Sequence, residues 1–195
     1  MTAALPPEPL GELTEPAHTD GAPAVADGRR ETRLLLVLDP RGSGRHDELP
    51  ATWRPFTAEH RVVWCRMPAE DAMAQAEQAF AAETADRPPG DIVASGPFAA
   101  IALDLAEQHS ALLRSVLLID PAADGFLARA DDAQVADQDW EADNSGRLTD
   151  LREAGIGVKV VAHSPGGDQD RVPAPLPLGH PDVVAGLTVA FDELI

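Results

Sequence analysis

The apolar positions of this chain fall into short solid runs separated by longer stripes, and that alternation predicts its elements. Residues 33–39, Arg-Leu-Leu-Leu-Val-Leu-Asp, are apolar almost throughout and are closed by Pro40, Gly42 and Gly44, the pattern of a strand covered on both faces. Similar runs occupy residues 60–67, ending at Pro68; residues 91–95; residues 115–120, stopped by Pro121; and residues 157–162. Between them, residues 69–85 are alanine-rich, with Met73, Ala76 and Phe80 at helical spacing and Glu70 and Asp71 near the start, where the helix dipole favours acids. The break Arg87-Pro-Pro-Gly90 ends that helix. Residues 97–113 read as a second helix, with Pro97 in its first turn and Phe98, Ile101, Ala102 and Leu105 on one face. A short helix is expected over residues 148–154, and a final amphipathic one over residues 183–194, where Val184, Leu187 and Phe191 share a face. Uniformly apolar strands alternating with helices predict an α/β fold: a mostly parallel sheet flanked by helices on both faces.

Two regions break this rhythm. Residues 1–31, rich in Pro, Ala, Glu and Gly and without apolar periodicity, read as a disordered acidic tail ahead of a single domain over 32–195. Residues 122–147 carry Asp124, Asp131, Asp132, Asp137, Asp139, Glu141 and Asp143 with weak patterning. An acidic loop is the expectation there, with a short lid around Phe126, Leu127 and Trp140 as the alternative.

Charge narrows the range of partners. With 33 acidic residues against 15 basic and a formal net charge of −18, nucleic acid and anionic membrane surfaces are excluded, leaving a small molecule or another protein. The sequence shows no secretory leader and no apolar run of membrane-spanning length, so a soluble, cytoplasmic protein is expected. The single cysteine, Cys65, sits among Val62, Val63 and Trp64 and reads as a buried hydrophobe rather than a reactive thiol. No His, Cys or carboxylate grouping has trustworthy metal-ligand spacing, and Gly42-Ser-Gly44 lacks the lysine and glycine spacing of a phosphate-binding loop, so no cofactor and no metal are expected.

An open parallel sheet carries its chemistry at the carboxyl ends of its strands. There, the segment Ile92-Val-Ala-Ser-Gly-Pro-Phe-Ala-Ala-Ile-Ala-Leu-Asp-Leu-Ala106, followed by Ser115-Val-Leu-Leu-Ile-Asp-Pro121, resembles the strand, nucleophile elbow, helix and next strand of α/β-hydrolases. The resemblance extends over roughly residues 32–195. Residues 34–44 look like the strand and loop supplying the oxyanion hole, residues 158–172 like the strand bearing the acid of the triad, and residues 179–194 like the histidine loop and last helix. It implies a reduced family member with a minimal or absent cap.

The departures bear on activity. Laid on the family pattern, the nucleophile's place falls on Gly96, with Ala94 and Phe98 at the flanking small positions, so no side chain there can attack a carbonyl. Glycine suits the strained backbone of an elbow without its chemistry. The next residue, whose N–H would hold the oxyanion, is Pro97, which has none. At the other oxyanion segment Asp39-Pro40 stands where His-Gly is expected, bringing a carboxylate to a site of developing negative charge. In a register shifted by one residue, Ser95 becomes the nucleophile, with the backbone N–H groups of Gly96 and Arg41 holding the oxyanion, but Val93 and Pro97 then crowd the turn. Against that stands a strand-end serine bonded to nearby backbone.

For the remaining triad members, the resemblance places the acid at Asp170, with Asp168 as second choice, and the base at His180 after Gly179. The simpler reading has these carboxylates capping a turn and His180 packing at a helix start before Pro181. His163 ends a strand near the same face, but an isolated histidine carries no assignment on its own. The leading expectation is a non-catalytic α/β-hydrolase homologue acting as a small-molecule-binding or protein-interaction module, with a residual cleft near Asp39, Ser95, Gly96, Asp170 and His180. Its rivals are an esterase or thioesterase using Ser95, His180 and Asp170, and a structural subunit that pairs with another protein.

Overall fold

Strand β2, Arg33–Asp39, runs through the middle of a six-stranded sheet whose other members are β1 (Ala24–Asp27), β3 (His60–Arg66), β4 (Gly90–Ser95), β5 (Leu113–Ile119) and β6 (Gly157–Ala162). In this computed structural model the described residues are 22–42, 48–67, 69–82, 87–123, 133–164, 172 and 174–193. The strand order is β1-β3-β2-β4-β5-β6, with every pairing parallel except that of β1 with β3. The helices are α1 (Ala72–Ala81), α2 (Ala99–Gln108), α3 (Ala133–Asp143), α4 (Ser145–Glu153) and α5 (Pro181–Glu193). The architecture is α/β, as the run-and-stripe pattern predicts.

The solid apolar runs are explained by two cores, one on each face of the sheet. Alternate residues of β2 divide between them: Leu34, Leu36 and Leu38 pack with α1, α2 and α4, while Leu35 and Val37 face α5 and the 3-10 turns of Ala51–Ala58. Period-two alternation thus needs apolar residues at every position of a doubly covered strand. Burial of each such leucine contributes roughly 1.5–3 kcal/mol relative to exposure. On the second face Trp53 meets Trp64 edge-on at 4.8 Å, and its indole N–H donates to the Leu178 carbonyl at 2.7 Å, fixing the approach to α5. Helix α5 lies so close to β6 that a Cβ on Gly186 would stand 2.3 Å from the Val161 carbonyl oxygen. Glycine is needed there for the helix to seat.

The structure departs from the sequence expectation in two places. Strand β1 falls inside the stretch expected to be a structureless tail: Ala24–Asp27 pairs antiparallel with β3, and Arg66 secures its approach by a backbone bond to the Pro23 carbonyl (2.9 Å) and a guanidinium bond to the Ala22 carbonyl (3.2 Å). Residues 1–21 lie outside the described residues. The acidic stretch expected to be a loop contains α3, which the pattern hides because few apolar residues define a face. Its Trp140 packs against the first core, and Arg147 of α4 bonds Asp104 (2.6 Å) and Glu107 (2.7 Å) of α2. Phe126 and Leu127 lie outside the described residues.

Candidate functional site

Strand β4 ends at Ser95, and the chain turns at once into a short 3-10 segment, Gly96–Phe98, that leads into α2. At the turn Gly96 has φ +55°, the left-handed region that costs an L-residue roughly 1–2 kcal/mol and glycine little. A strand, a positive-φ residue and a helix in immediate succession make the sharp turn that presents a nucleophile in hydrolases of this class. The turn resembles the nucleophile elbow of α/β-hydrolases. The positive φ sits on Gly96 and not on Ser95, whose backbone is extended (φ −128°, ψ 140°), so the elbow's central residue is the glycine.

The space that a nucleophile's side chain would occupy is filled. A Cβ on Gly96 would lie 2.9 Å from Cγ and 3.3 Å from Cβ of Pro175, and 3.2 Å from the Ala123 carbonyl oxygen. Pro175 belongs to the buried segment Ala174–Leu176, and that segment is tied down from two sides. The Arg41 guanidinium, from the loop after β2, donates to the Pro175 carbonyl at 2.8 Å. From the end of β5, Asp120 accepts the Leu176 N–H at 2.6 Å, while its two oxygens also take the Ser164 N–H (2.5 Å) and hydroxyl (2.8 Å) beyond β6. Asp120 is itself held at φ +44°, an uncommon conformation for a side-chain-bearing residue that these bonds maintain. Polar groups at the carboxyl end of the sheet therefore hold a strap across the elbow.

The oxyanion components point the same way. Pro97 is exposed and offers no N–H, and the Arg41 amide N–H donates to Asp39 Oδ1 at 2.9 Å. Asp39, buried, takes the Trp64 indole N–H on its other oxygen, also at 2.9 Å, and neighbouring Pro40 is buried beside it. Asp39 acts as a fastener for its loop. Ser95 is fully buried, and its hydroxyl has no hydrogen-bond partner among the described residues. His180 opens α5: its own N–H bonds to Pro177 O, its carbonyl accepts the Val184 N–H, and its ring Nδ1 accepts the Asp182 N–H at 3.3 Å. No hydrogen bond or ion pair among the described residues joins Ser95 to His180; Asp170 and Asp168 lie outside the described residues. Burial in the core pushes the Cys65 thiol up to about 12, so it has little thiolate character.

One pairing escaped the sequence reading. His163, just past β6, places Nδ1 2.6 Å from Asp137 Oδ2, and the other oxygen of Asp137 accepts the Ala122 N–H at 2.9 Å. Asp137 is buried within α3 while the imidazole is 34% exposed. Burial raises the Asp137 carboxyl above its ordinary value, with the nearby Asp120 charge adding to that, against lowering by the Ala122 N–H and His163. Seven acids in one stretch gave the sequence no means of choosing Asp137, since its partner is fixed only when α3 packs beside the end of β6.

No family model matches the chain, and a search of curated proteins finds no match. Among solved structures, YahD with malic acid is similar at 14% identity and a TM-score of 0.49, over 87% of this chain and 98% of that one. Carboxylesterase CesB (YbfK) from Bacillus subtilis is similar at 14% identity and a TM-score of 0.36, over 84% of this chain and 56% of that one. At such identities likeness concerns the fold, and function must be argued from the site.

Proposed function

We propose that this chain is a non-catalytic α/β-hydrolase homologue, a binding or interaction module in which the ancestral nucleophile position is closed. The observation that supports this most directly is the packing of Pro175 against Gly96, 2.9 Å from where a side chain would begin. Acyl transfer needs a nucleophile within reach of a base, with donors aimed at the developing oxyanion. Here the elbow residue has no side chain, its successor is Pro97, and the Arg41 N–H is engaged by Asp39. Ser95, one residue earlier, is enclosed, and its hydroxyl bonds to none of the described residues. The charge of −18 supports a small molecule or a protein as the partner.

The test is labelling of the folded protein with a fluorophosphonate, read by intact mass and peptide mapping, with Ser95→Ala and heat-denatured controls. The expected result is no adduct on the native chain. A stoichiometric adduct on Ser95 that vanishes in Ser95→Ala would establish a serine hydrolase of the esterase or thioesterase type instead, and would make His180 and Asp170 the next residues to replace.

A further inference from the structure

The two outermost strands of the sheet differ in length. Strand β1 has four residues, whereas β6 has six, and among the described residues β5 is its one hydrogen-bonded neighbour. Unpaired N–H and C=O groups along a strand of that length are a template for another strand. The side chains add to this: Val158 and Val160 are half-buried at the rim of the first core, and Val161 at the rim of the second. On α5, Val189 is 55% exposed and flanks the stripe of Gly186 and Glu193 that lies against β6. In the middle of β6 stands Lys159, the single lysine among the chain's fifteen basic residues, half exposed, with Nζ 2.5 Å from Glu193 Oε2. Beyond it the strand bulges: Leu118 faces Val160 and Ile119 faces Ala162, leaving Val161 as the extra residue.

We propose that the β6 edge is a latent interface with a second copy of this chain, and that the charge on Lys159 keeps it closed. In a two-fold antiparallel pairing, opposed side chains share a face. Centred on Lys159, the pairing sets ammonium against ammonium. Centred on Val160, it sets each Lys159 opposite Val161 of the other copy, since both residues lie on the α5 face. Either register thus brings like charges together or strips water from an ammonium, which is a compact and strongly hydrated charge. A second copy is the occupant that suits the edge otherwise: Val160 meets Val160, or Val158 meets Val160, so the half-buried valines cover one another. The −18 charge of each copy opposes approach from a distance, but salt confines that repulsion to about 8 Å at physiological strength. Whether a strand joins the edge is then decided by the groups on it. This inference does not depend on the closed elbow.

The test is sedimentation velocity over a concentration series of the full chain, in about 0.15 M salt, comparing wild type, Lys159→Arg and the double variant Lys159→Val with Glu193→Gln. Wild type and Lys159→Arg, which keep the charge, should stay monomeric. The double variant should form a dimer with a Kd at least roughly tenfold below that of any wild-type association. In that dimer, amide exchange should slow over residues 157–160. Because Lys159 is the one lysine, acetylating native wild type with an amine-selective reagent alters that side chain and the N-terminal amine alone. Where the double variant does not fold, the acetylated protein replaces it and should give the same dimer. The proposal is overturned if the neutralised chain stays monomeric, if Lys159→Arg or wild type dimerises as tightly as the neutralised chain, or if the dimer leaves exchange over residues 157–160 unchanged.

Discussion

The two ends of the sheet each bury a carboxylate, and they hold it in opposite ways. At the amino end Asp91 of β4, fully buried, is gripped by Arg114 through two bonds of 3.0 and 2.9 Å and by the Ser115 hydroxyl at 2.6 Å, with the His60 imidazole 3.7 Å away. At the carboxyl end Asp120 is satisfied by N–H and hydroxyl donors from Ser164 and Leu176, with no cation among those bonds. A guanidinium on the strand next door locks two neighbouring strands, which is what an amino end needs. Neutral donors from two separate loops draw those loops inward instead. At the carboxyl end those bonds hold the strap of Ala174–Leu176 packed against Gly96.

The contrast can be broken most severely at Asp91. Replacing it by Ala removes the paired bonds of the largely buried Arg114 and the bond of the Ser115 hydroxyl, and a loss of about 3–5 kcal/mol is expected in urea unfolding. Asp120→Ala removes three hydrogen bonds to a charged acceptor, and about 3 kcal/mol is expected. Here, unlike at Asp91, the damage should be local: amide exchange should accelerate at Ser164 and Leu176 well before the strands open. Equal acceleration throughout the sheet would show that the carboxyl-end latch is not a separate unit.

The same contrast should appear as opposite slopes against pH. Burial alone would raise the Asp91 carboxyl, but the contacts of His60, Arg114 and Ser115 and the Arg114 charge together hold it below the ordinary range. Between its folded and unfolded values the unfolded chain binds more protons, so the Asp91 contribution is present above the unfolded value and is lost as pH falls through the folded one. Asp137 is raised, so the folded chain binds more protons in its window, and stability from that group declines as pH rises from the unfolded value through the folded one. Urea midpoints across the acidic range should lose the first slope in Asp91→Asn and the second in Asp137→Asn. Smallest of all is the effect at Cys65: a thiol reagent should leave the native chain unlabelled and react only after unfolding, as measured by intact mass.

What the sequence discloses and what it hides divide along a physical line. Strands covered on both faces leave an unbroken apolar run, so β2 through β6 were legible, and so was the place of the elbow, because Gly96-Pro97 lies between a strand and a helix within a few residues. Strand β1 is four residues long at a sheet edge, too short for its pattern to stand out from the Pro- and Ala-rich stretch around it. The closure by Pro175, the latch at Asp120 and the Asp137–His163 pair each join residues far apart in the chain, and no local periodicity encodes which loop packs on which. A proline in an irregular stretch says nothing in sequence about the space it fills.

The claim that Pro175 occupies the side-chain space of residue 96 is tested most directly by a double-mutant cycle in urea unfolding with Gly96→Ala, Pro175→Gly and the pair. The account predicts that Gly96→Ala alone costs about 2 kcal/mol or more, from its positive φ and the contact with Pro175. It further predicts that Pro175→Gly recovers roughly 1 kcal/mol of that cost in the double variant; the effect of the new glycine on the unfolded chain enters both arms and cancels. Strict additivity would contradict it, since the two residues would then not share the space on which the non-catalytic reading depends.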